Sequence, residues 1–538
     1  MPIAILIDSI DNVVVLTQDV KAGETVSIHG SEDKYIARED IHKGNKMAVA
    51  PIKTGEQVIK YGVPIGPMTA DAEAGELVSA HNLLNSPQER GRENRRKIRE
   101  GGRKIMVFPR ADGRFGIRNV VMVIPASPDC NAAAEAISDA TGCAWMCCDR
   151  TQLDDNGRVS DYTRKALGYT GCNPNIHSVL VLKADGEKKT SDFVYNLVKE
   201  TRKPVYNLDV TAAGDTAIRK GTDIVRDFMA QADAQKREPR PIEGLTLAIQ
   251  NSGSDWTTAI FGNPVVGKAM SLLTKDGGIT IHGAVEGLLC GFENFLPEKF
   301  TKREDVLKML DLIECEHELT FRETGLPLEK IEPSWVNIPE GITTTMEKGY
   351  QILSYYDDTP IQGILEYCEQ PPHSGAWIST FENVLPPTTA LYASVQGAHM
   401  HIITTSAGFL YYEIPHMVGI RSTGNEDTFN IPEFKKDFNA GAAMRDGIPQ
   451  TGEKLYELIL DAAEGKVETH TEKQKQRVFH MWYYVPITPY NTPGGKTHLP
   501  YSSGLEAAED RFGKGFSVSK RLSADYVEAV KIFTDLVK

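Results

Sequence analysis

Phe108-Pro-Arg-Ala-Asp-Gly-Arg-Phe-Gly-Ile-Arg-Asn119 runs directly into the apolar stretch Val120-Val-Met-Val-Ile-Pro125. The second stretch is short, uncharged and rich in β-branched residues, so it reads as a buried strand. The first is a polar loop that feeds that strand. Arginine carries a planar, permanently charged fork that matches a carboxylate. Arg110, Arg114 and Arg118 are therefore candidate anion-binding groups, with Asp112 and Asn119 beside them. The competing reading makes the same arginines partners in surface or interlobe ion pairs.

Beyond this stretch, strand-like and helix-like segments alternate. Strands are expected at Val120–Ile124, Ser178–Leu182, Leu245–Gln250, Gly278–His282, His399–Thr404 and Met417–Arg421. Helices are expected at Asn131–Ala140, Asp192–Lys199, Thr216–Gln231 and Pro264–Leu273. Such alternation predicts a Rossmann-like α/β body with largely parallel sheets. Before it, Ala4–Ile7, Val13–Leu16, Met47–Pro51 and Gln57–Ile59 are short apolar runs separated by glycine turns, which predicts a small β domain. The expected organisation is a β domain over 1–83, a basic linker over 84–107, α/β lobes over 108–235 and 244–465, and a C-terminal extension over 466–538.

A chain of 538 residues exceeds one ordinary domain, and its 41% hydrophobic and 25% charged content are those of a globular protein. The net charge of −14 argues against general nucleic-acid binding and means that an anionic ligand needs a local basic pocket. No apolar run approaches the ~18 residues of a membrane span, and the start lacks the basic region of a signal peptide. Eight sparse cysteines read as reduced thiols, and the location as cytoplasmic.

Phosphate-loop, zinc-helix and paired-cysteine motifs are absent. Two further stretches carry polar groups suited to a ligand. Gln250-Asn-Ser-Gly-Ser-Asp-Trp256 follows a strand, where α/β ligands gather, and Gly341-Ile-Thr-Thr-Thr-Met-Glu-Lys348 offers hydroxyls and amides. Ser254, Asp255, Thr343 and Thr344 are the residues singled out there, and both stretches are expected to share one cleft with Arg114. Capped turns are the plainer reading of both. His399 and His401, two apart in a strand, would face one side.

Several phrases in order give the chain a resemblance to the altronate/galactarate dehydratase family. They include Asp11-Asn-Val-Val-Val15, Ala37 to Lys46, Val58-Ile-Lys-Tyr-Gly-Val-Pro-Ile-Gly66, Gly75 to Asn82, Arg110 to Asn119, Gly253-Ser-Asp255 and Gly341 to Lys348. The first four phrases resemble the family's SAF-type domain. The resemblance implies a hydro-lyase that removes water from an anionic sugar acid, such as altronate or galactarate, to give a 2-keto-3-deoxy acid. A base would take the proton beside the carboxylate, an acid would assist the departing hydroxyl, and the enediolate would need electrostatic stabilisation. Lys60, Tyr61, His81 and Arg114 are the catalytic candidates. The resemblance also implies a divalent metal, Fe2+ or Mn2+, with His81 and Asn82 as its candidate ligands.

Departures from the family pattern bear on that metal. The chain has Gly44-Asn45-Lys46 in place of Gly-His-Lys, Ser79-Ala-His81-Asn82 in place of a double histidine, and Asn251-Ser-Gly-Ser-Asp255 in place of Cys-Gly-Gly-Ser-Asp. Thiolate and imidazole give way to amide and hydroxyl, which favour harder ions. Alternatives are a lyase that expels sulfite from a sulfonated hydroxy acid such as sulfolactate, and a homologue without catalysis. The expected partner is a small acidic substrate, with no nucleic acid and no membrane, and self-association is left open.

Overall fold

The computed structural model describes residues 3–84, 103–148, 159–184, 187–283, 299–310, 312–313, 333, 337–356, 358–379, 386–406 and 414–480. Residues 85–102, most of the expected basic linker, and 481–538, most of the expected C-terminal extension, lie outside the described residues.

The N-terminal residues form a six-stranded sheet with a hairpin beside it, Gln57–Lys60 against Val63–Pro67. Val13–Leu16 is buried along its whole length, with alternate side chains serving two cores. Val13 and Val15 join a core that also holds Leu247, Trp256 and Met346 of the α/β body. The β domain and the body are thus packed as one apolar interior rather than tethered.

Lys104–Pro109 is a strand, and it pairs with Phe115–Gly116 and with Glu238–Pro241. It begins inside the stretch expected to be linker. Its partner lies in the proline-rich stretch read as a lobe boundary. Only the ladder donors of a neighbouring strand make that placement visible, and composition does not encode them.

The body holds two wholly parallel sheets. One runs Val205–Asp209, Ile176–Lys183, Val120–Pro125, Ala144–Cys147, Val478–His480. The other runs Ile361–Leu365, Gly375–Ser379, Ile279–His282, Thr246–Asn251, Met400–Thr404, Val418–Thr423, Phe438–Asn439. Every strand expected in the body is present within a few residues, because strands buried on both faces read as continuous apolar runs. Val478–His480 returns to the first lobe as its edge strand. Among the described residues no helix is long and apolar enough to cross a membrane.

The two sheets are bolted together at the amino ends of their strands. Asn173 Nδ2 donates to the Ser394 and Ala398 carbonyls, and Asn175 Nδ2 to those of His399 and His416. His399 Nε2 lies 2.8 Å from the Phe115 carbonyl, and the Thr246 amide donates to its Nδ1. Burial pushes the His399 imidazole down to about 4, so it stays neutral and serves this joint. His399 is thus occupied apart from His401 and does not form a paired ligand with it.

Candidate functional site at the carboxyl edge of the larger sheet

Thr344 opens the helix Thr345–Leu353 with a capping box. Its hydroxyl accepts from the Glu347 amide, and Glu347 accepts from the Thr344 amide. The Thr343 amide and hydroxyl donate to the same carboxylate, each at 2.9 Å. Thr343 and Thr344, expected to bind substrate, hold Glu347 in place.

Glu347 is fully buried and faces the N-terminal domain. Lys46 Nζ lies 2.9 Å from its Oε1 and 3.0 Å from Thr343 Oγ1, and Lys60 Nζ lies 3.1 Å from Oε1. Both lysines are almost wholly buried. Burial works to raise the Glu347 carboxyl, but the two ammonium groups outweigh it and hold it well below its usual range. Burial also pushes Lys46 down to about 8, helped by repulsion from Lys60 and opposed by Glu347. The Lys60 ammonium sits 4.7 Å from the Tyr61 ring centroid, and Tyr61 stacks on Tyr350 at 4.7 Å. Tyr61 has a φ of 65°, held there by Asp11, which accepts from the Tyr61 and Gly62 amides. A left-handed tyrosine costs energy and persists only where its surroundings fix it.

The turn at Gly44 wedges this domain against the body. A side chain at Gly44 would collide with the Trp256 ring, and one at Gly341 with the Gly44 carbonyl. Both glycines have φ near +87°, which other residues rarely adopt.

Glu347 and Gln351 are one turn apart and share a helix face. The Gln351 carbonyl accepts from Asn263 of the helix Asn263–Lys275, and the larger sheet carries Asn251, Thr404 and Ser422 in register on one face. His282 is in register with Ile249, two residues before Asn251, and so lies on the same face. All five side chains are buried. Among the described residues, Asn251 Oδ1, His282 Nε2, Thr404 Oγ1, Ser422 Oγ and both amide atoms of Gln351 have no hydrogen-bond partner. Buried polar atoms normally find partners, so a cluster without them marks a place for water or ligand. It lies at the carboxyl ends of parallel strands, where α/β proteins bind ligands. The π-helical turn Thr258–Gly262 borders it, another frequent mark of functional sites.

Ser254 and Asp255 sit beside this cluster, but their groups are engaged. Asn251 Nδ2 donates to Ser254 Oγ, and Asp255 accepts from Thr257, Thr258 and Asn425. Burial raises the Asp255 carboxyl despite those bonds.

The arginine loop lies elsewhere, and the expectation of one cleft shared by Arg114, Ser254, Asp255 and Thr343 fails. The neighbour of Arg114, Phe115, bonds His399 ahead of the strand Met400–Thr404, whereas the Ser252 amide bonds Thr404 at its far end. A loop that precedes a strand meets the amino edge, and one that follows a strand meets the carboxyl edge. Arg110 donates to the Pro174 and Arg118 carbonyls and to Gln235. Arg118 holds Glu472 and the carbonyls of Ile117, Ala462 and Ala463, and Asn119 donates to Ala232. Arg114 pairs with Asp112 at 2.7 Å and donates to the Cys172 carbonyl. Burial pushes Asp112 up, but the bonds and charge of Arg114 outweigh it and hold the carboxyl low. In this structure these groups bind protein atoms, although they were expected to bind a substrate carboxylate.

His81 is exposed, with Nδ1 2.6 Å from Ser79 Oγ. Asn82 uses both ends of its amide within the turn, accepting from Ser79 and donating to Leu77. The pair does not fit a metal on these bonds, since the Asn82 oxygen already accepts from the Ser79 amide and the His81 Nδ1 is engaged with Ser79 Oγ. Among the described residues no group of three or more His, Cys, Asp or Glu side chains is placed to hold one.

Lys46, Glu347, Gln351 and His282 were missed as candidates. The signals were present: Glu347 stands at capping-box spacing from Thr344, and His282 is the polar end of a buried strand.

Fold and site define a class first, an α/β body whose small β domain closes on the carboxyl edge of a parallel sheet through shared buried charge. Family descriptions match three consecutive parts of the chain: the altronate/galactarate dehydratase SAF domain over residues 2–86, the second domain of D-galactarate dehydratase/altronate hydrolase over 107–233, and the C-terminal part of D-galactarate/altronate dehydratase over 242–487. Altronate dehydratase of Escherichia coli (strain K12) is 26% identical over 487 residues, covering 86% of this chain and 95% of that protein. Altronate dehydratase of Bacillus subtilis (strain 168) is 25% identical over 492 residues, covering 86% and 95%. The beta subunit of (2R)-sulfolactate sulfo-lyase from Chromohalobacter salexigens is 27% identical over 386 residues, covering 70% and 97%. The chain belongs to the altronate/galactarate dehydratase family, and is a lyase of the sugar-acid dehydratase type.

Proposed function

We propose that the protein dehydrates a hexonate or hexarate, such as altronate or galactarate, to a 2-keto-3-deoxy acid. The observation that carries this reading is the cluster of buried polar atoms at the carboxyl edge that have no partner among the described residues, together with a lysine pair that outnumbers its carboxylate. A polyhydroxy acid offers hydroxyls to the first and a carboxylate to the second. In this reading the N-terminal domain contributes Lys46, Lys60 and Tyr61, and the two ammonium groups against the one Glu347 carboxylate give a local cation within a chain of net charge −14.

The reaction breaks the C2–H and C3–O bonds, and the departing hydroxyl leaves as water after gaining a proton. The resulting enol ketonises by taking a proton at C3. Expulsion of sulfite is the second reading, supported by the resemblance to the sulfolactate sulfo-lyase subunit. Purified protein assayed on hexonates, hexarates and (2R)-sulfolactate, with keto-acid and sulfite detection before and after chelation, decides between them. Keto acid from a hexonate or hexarate is the expected result. Sulfite release alone would select the second reading, and turnover of no compound would defeat both.

A further inference from the structure

His282 closes the strand Ile279–His282 and is wholly buried at the carboxyl edge of the larger sheet. Its Nδ1 lies 2.7 Å from the Tyr356 hydroxyl, and Tyr355 meets the ring edge-on at 4.8 Å. Among the described residues Nε2 has no partner. The Tyr356 phenol can donate its one proton to Nδ1 or accept one from it, and the first arrangement is the one proposed. Accepting at Nδ1 leaves the neutral ring with its hydrogen on Nε2. The ring stands on the sheet face that also carries Asn251 and Thr404, whose own atoms without a partner among the described residues are oxygens.

We propose that His282 is a catalytic residue of the dehydration, acting as a neutral hydrogen-bond donor through Nε2–H to an oxygen of the sugar-acid substrate that gains charge as the C2 proton leaves. The proposal rests on the dehydratase reading above and adds the group that meets the developing enediolate. Burial supports it, since an imidazole pushed down to about 3 keeps its single hydrogen and stays uncharged. A neutral donor is better matched than an imidazolium to an oxygen whose charge grows during reaction, because it does not trap the ground-state carboxylate. Tyr356 is a positioning residue, which fixes the tautomer and touches no substrate.

Two measurements test this, and the first does not depend on substrate identity. Nitrogen-15 spectra of histidine-labelled protein at pH 7, with the His282 signal assigned by its loss in His282→Gln, should report the Nε2–H tautomer. An imidazolium or an Nδ1–H tautomer overturns the proposal, even if no sugar acid is turned over. The second compares variants on whichever of altronate or galactarate the wild type dehydrates. His282→Phe should lose about 100-fold or more in kcat, the usual cost of removing one such donor, with KM changed little. His282→Gln, whose amide also donates, should recover at least about tenfold of that loss. Tyr356→Phe should lose less than His282→Phe. Equal loss in the Gln and Phe variants makes His282 a base and overturns the donor role. Unchanged kcat in His282→Phe removes it from the chemistry. Melting temperatures of the variants separate a folding defect from either result, and a wild type inactive on both acids counts against the dehydratase reading alone.

Discussion

Two buried ammonium groups, Lys46 and Lys60, face one carboxylate, Glu347, and the consequences of that imbalance are specific. Removing the carboxylate strands both cations, so Glu347→Gln should destabilise the protein by about 3–5 kcal/mol in denaturant unfolding. Lys46→Met leaves a balanced pair and fills similar volume, so its cost should be far smaller. A result in which the two variants are equally destabilised would contradict the shared-carboxylate arrangement. The pH dependence follows from the direction of the Lys46 shift, from 10.5 down to about 8. Between those values the unfolded chain holds a proton that the folded chain lacks, so this residue makes stability rise with pH across that window. Glu347 acts at the acid end, stabilising above the ordinary carboxylate range and losing that effect as pH falls through its depressed value. If the pair attracts the substrate carboxylate, KM should rise as pH passes upward through about 8, and Lys46→Met should flatten that rise. Steady-state kinetics from pH 7 to 9.5 would reveal a flat wild-type profile if Lys46 has no such part.

The helix Thr345–Leu353 links the two halves of the site. Its capping box holds Glu347 against Lys46 and Lys60 of the N-terminal domain, while Ile352 and Leu353 join the core that contains Ile249, Ile402 and Ile420 of the larger sheet. The arginine loop is an element of another kind, a clamp that ties the first lobe to the chain around residues 462–472. Arg110 has three protein acceptors, and burial pushes its guanidinium down to about 10. Arg110→Ala should therefore cost about 3 kcal/mol of stability, from hydrogen bonds made by a charged group, while kcat/KM of the folded fraction stays near wild type. A thermal melt and kinetics on one preparation check this. Loss of activity without loss of stability would return the loop to substrate binding.

At the scale of the molecule, the N-terminal domain shares its apolar core and its buried charges with the body. Cutting the chain within 85–102 should thus leave the two pieces associated, with the nicked protein eluting at its original size. Combining the nick with Glu347→Gln should promote separation, because the joint then holds two cations without a counter-charge. Separation of the wild-type pieces on nicking alone would mean that the covalent link, not the interface, holds the domain in place.

The sequence by itself determined the elements. Continuous apolar runs such as Val120–Pro125 and Thr246–Asn251 can be satisfied only inside a covered parallel sheet, and glycine-punctuated runs before residue 84 only in a small β domain. The sequence also carried the family, through ordered phrases that no composition supplies. Even the edge of the arginine loop was legible, since Arg114 precedes its strand and Asp255 follows one. The tertiary structure decided which polar groups are left for a ligand. Lys46 and Glu347 are 301 positions apart, and neither residue's surroundings name the other. Arginines that look free in the chain find carbonyls and carboxylates once the lobes dock, whereas His282, an unremarked strand end, keeps a nitrogen without a partner among the described residues. Local pattern fixes where a side chain points along its own element. Whether it meets a partner depends on another element brought in from far along the chain.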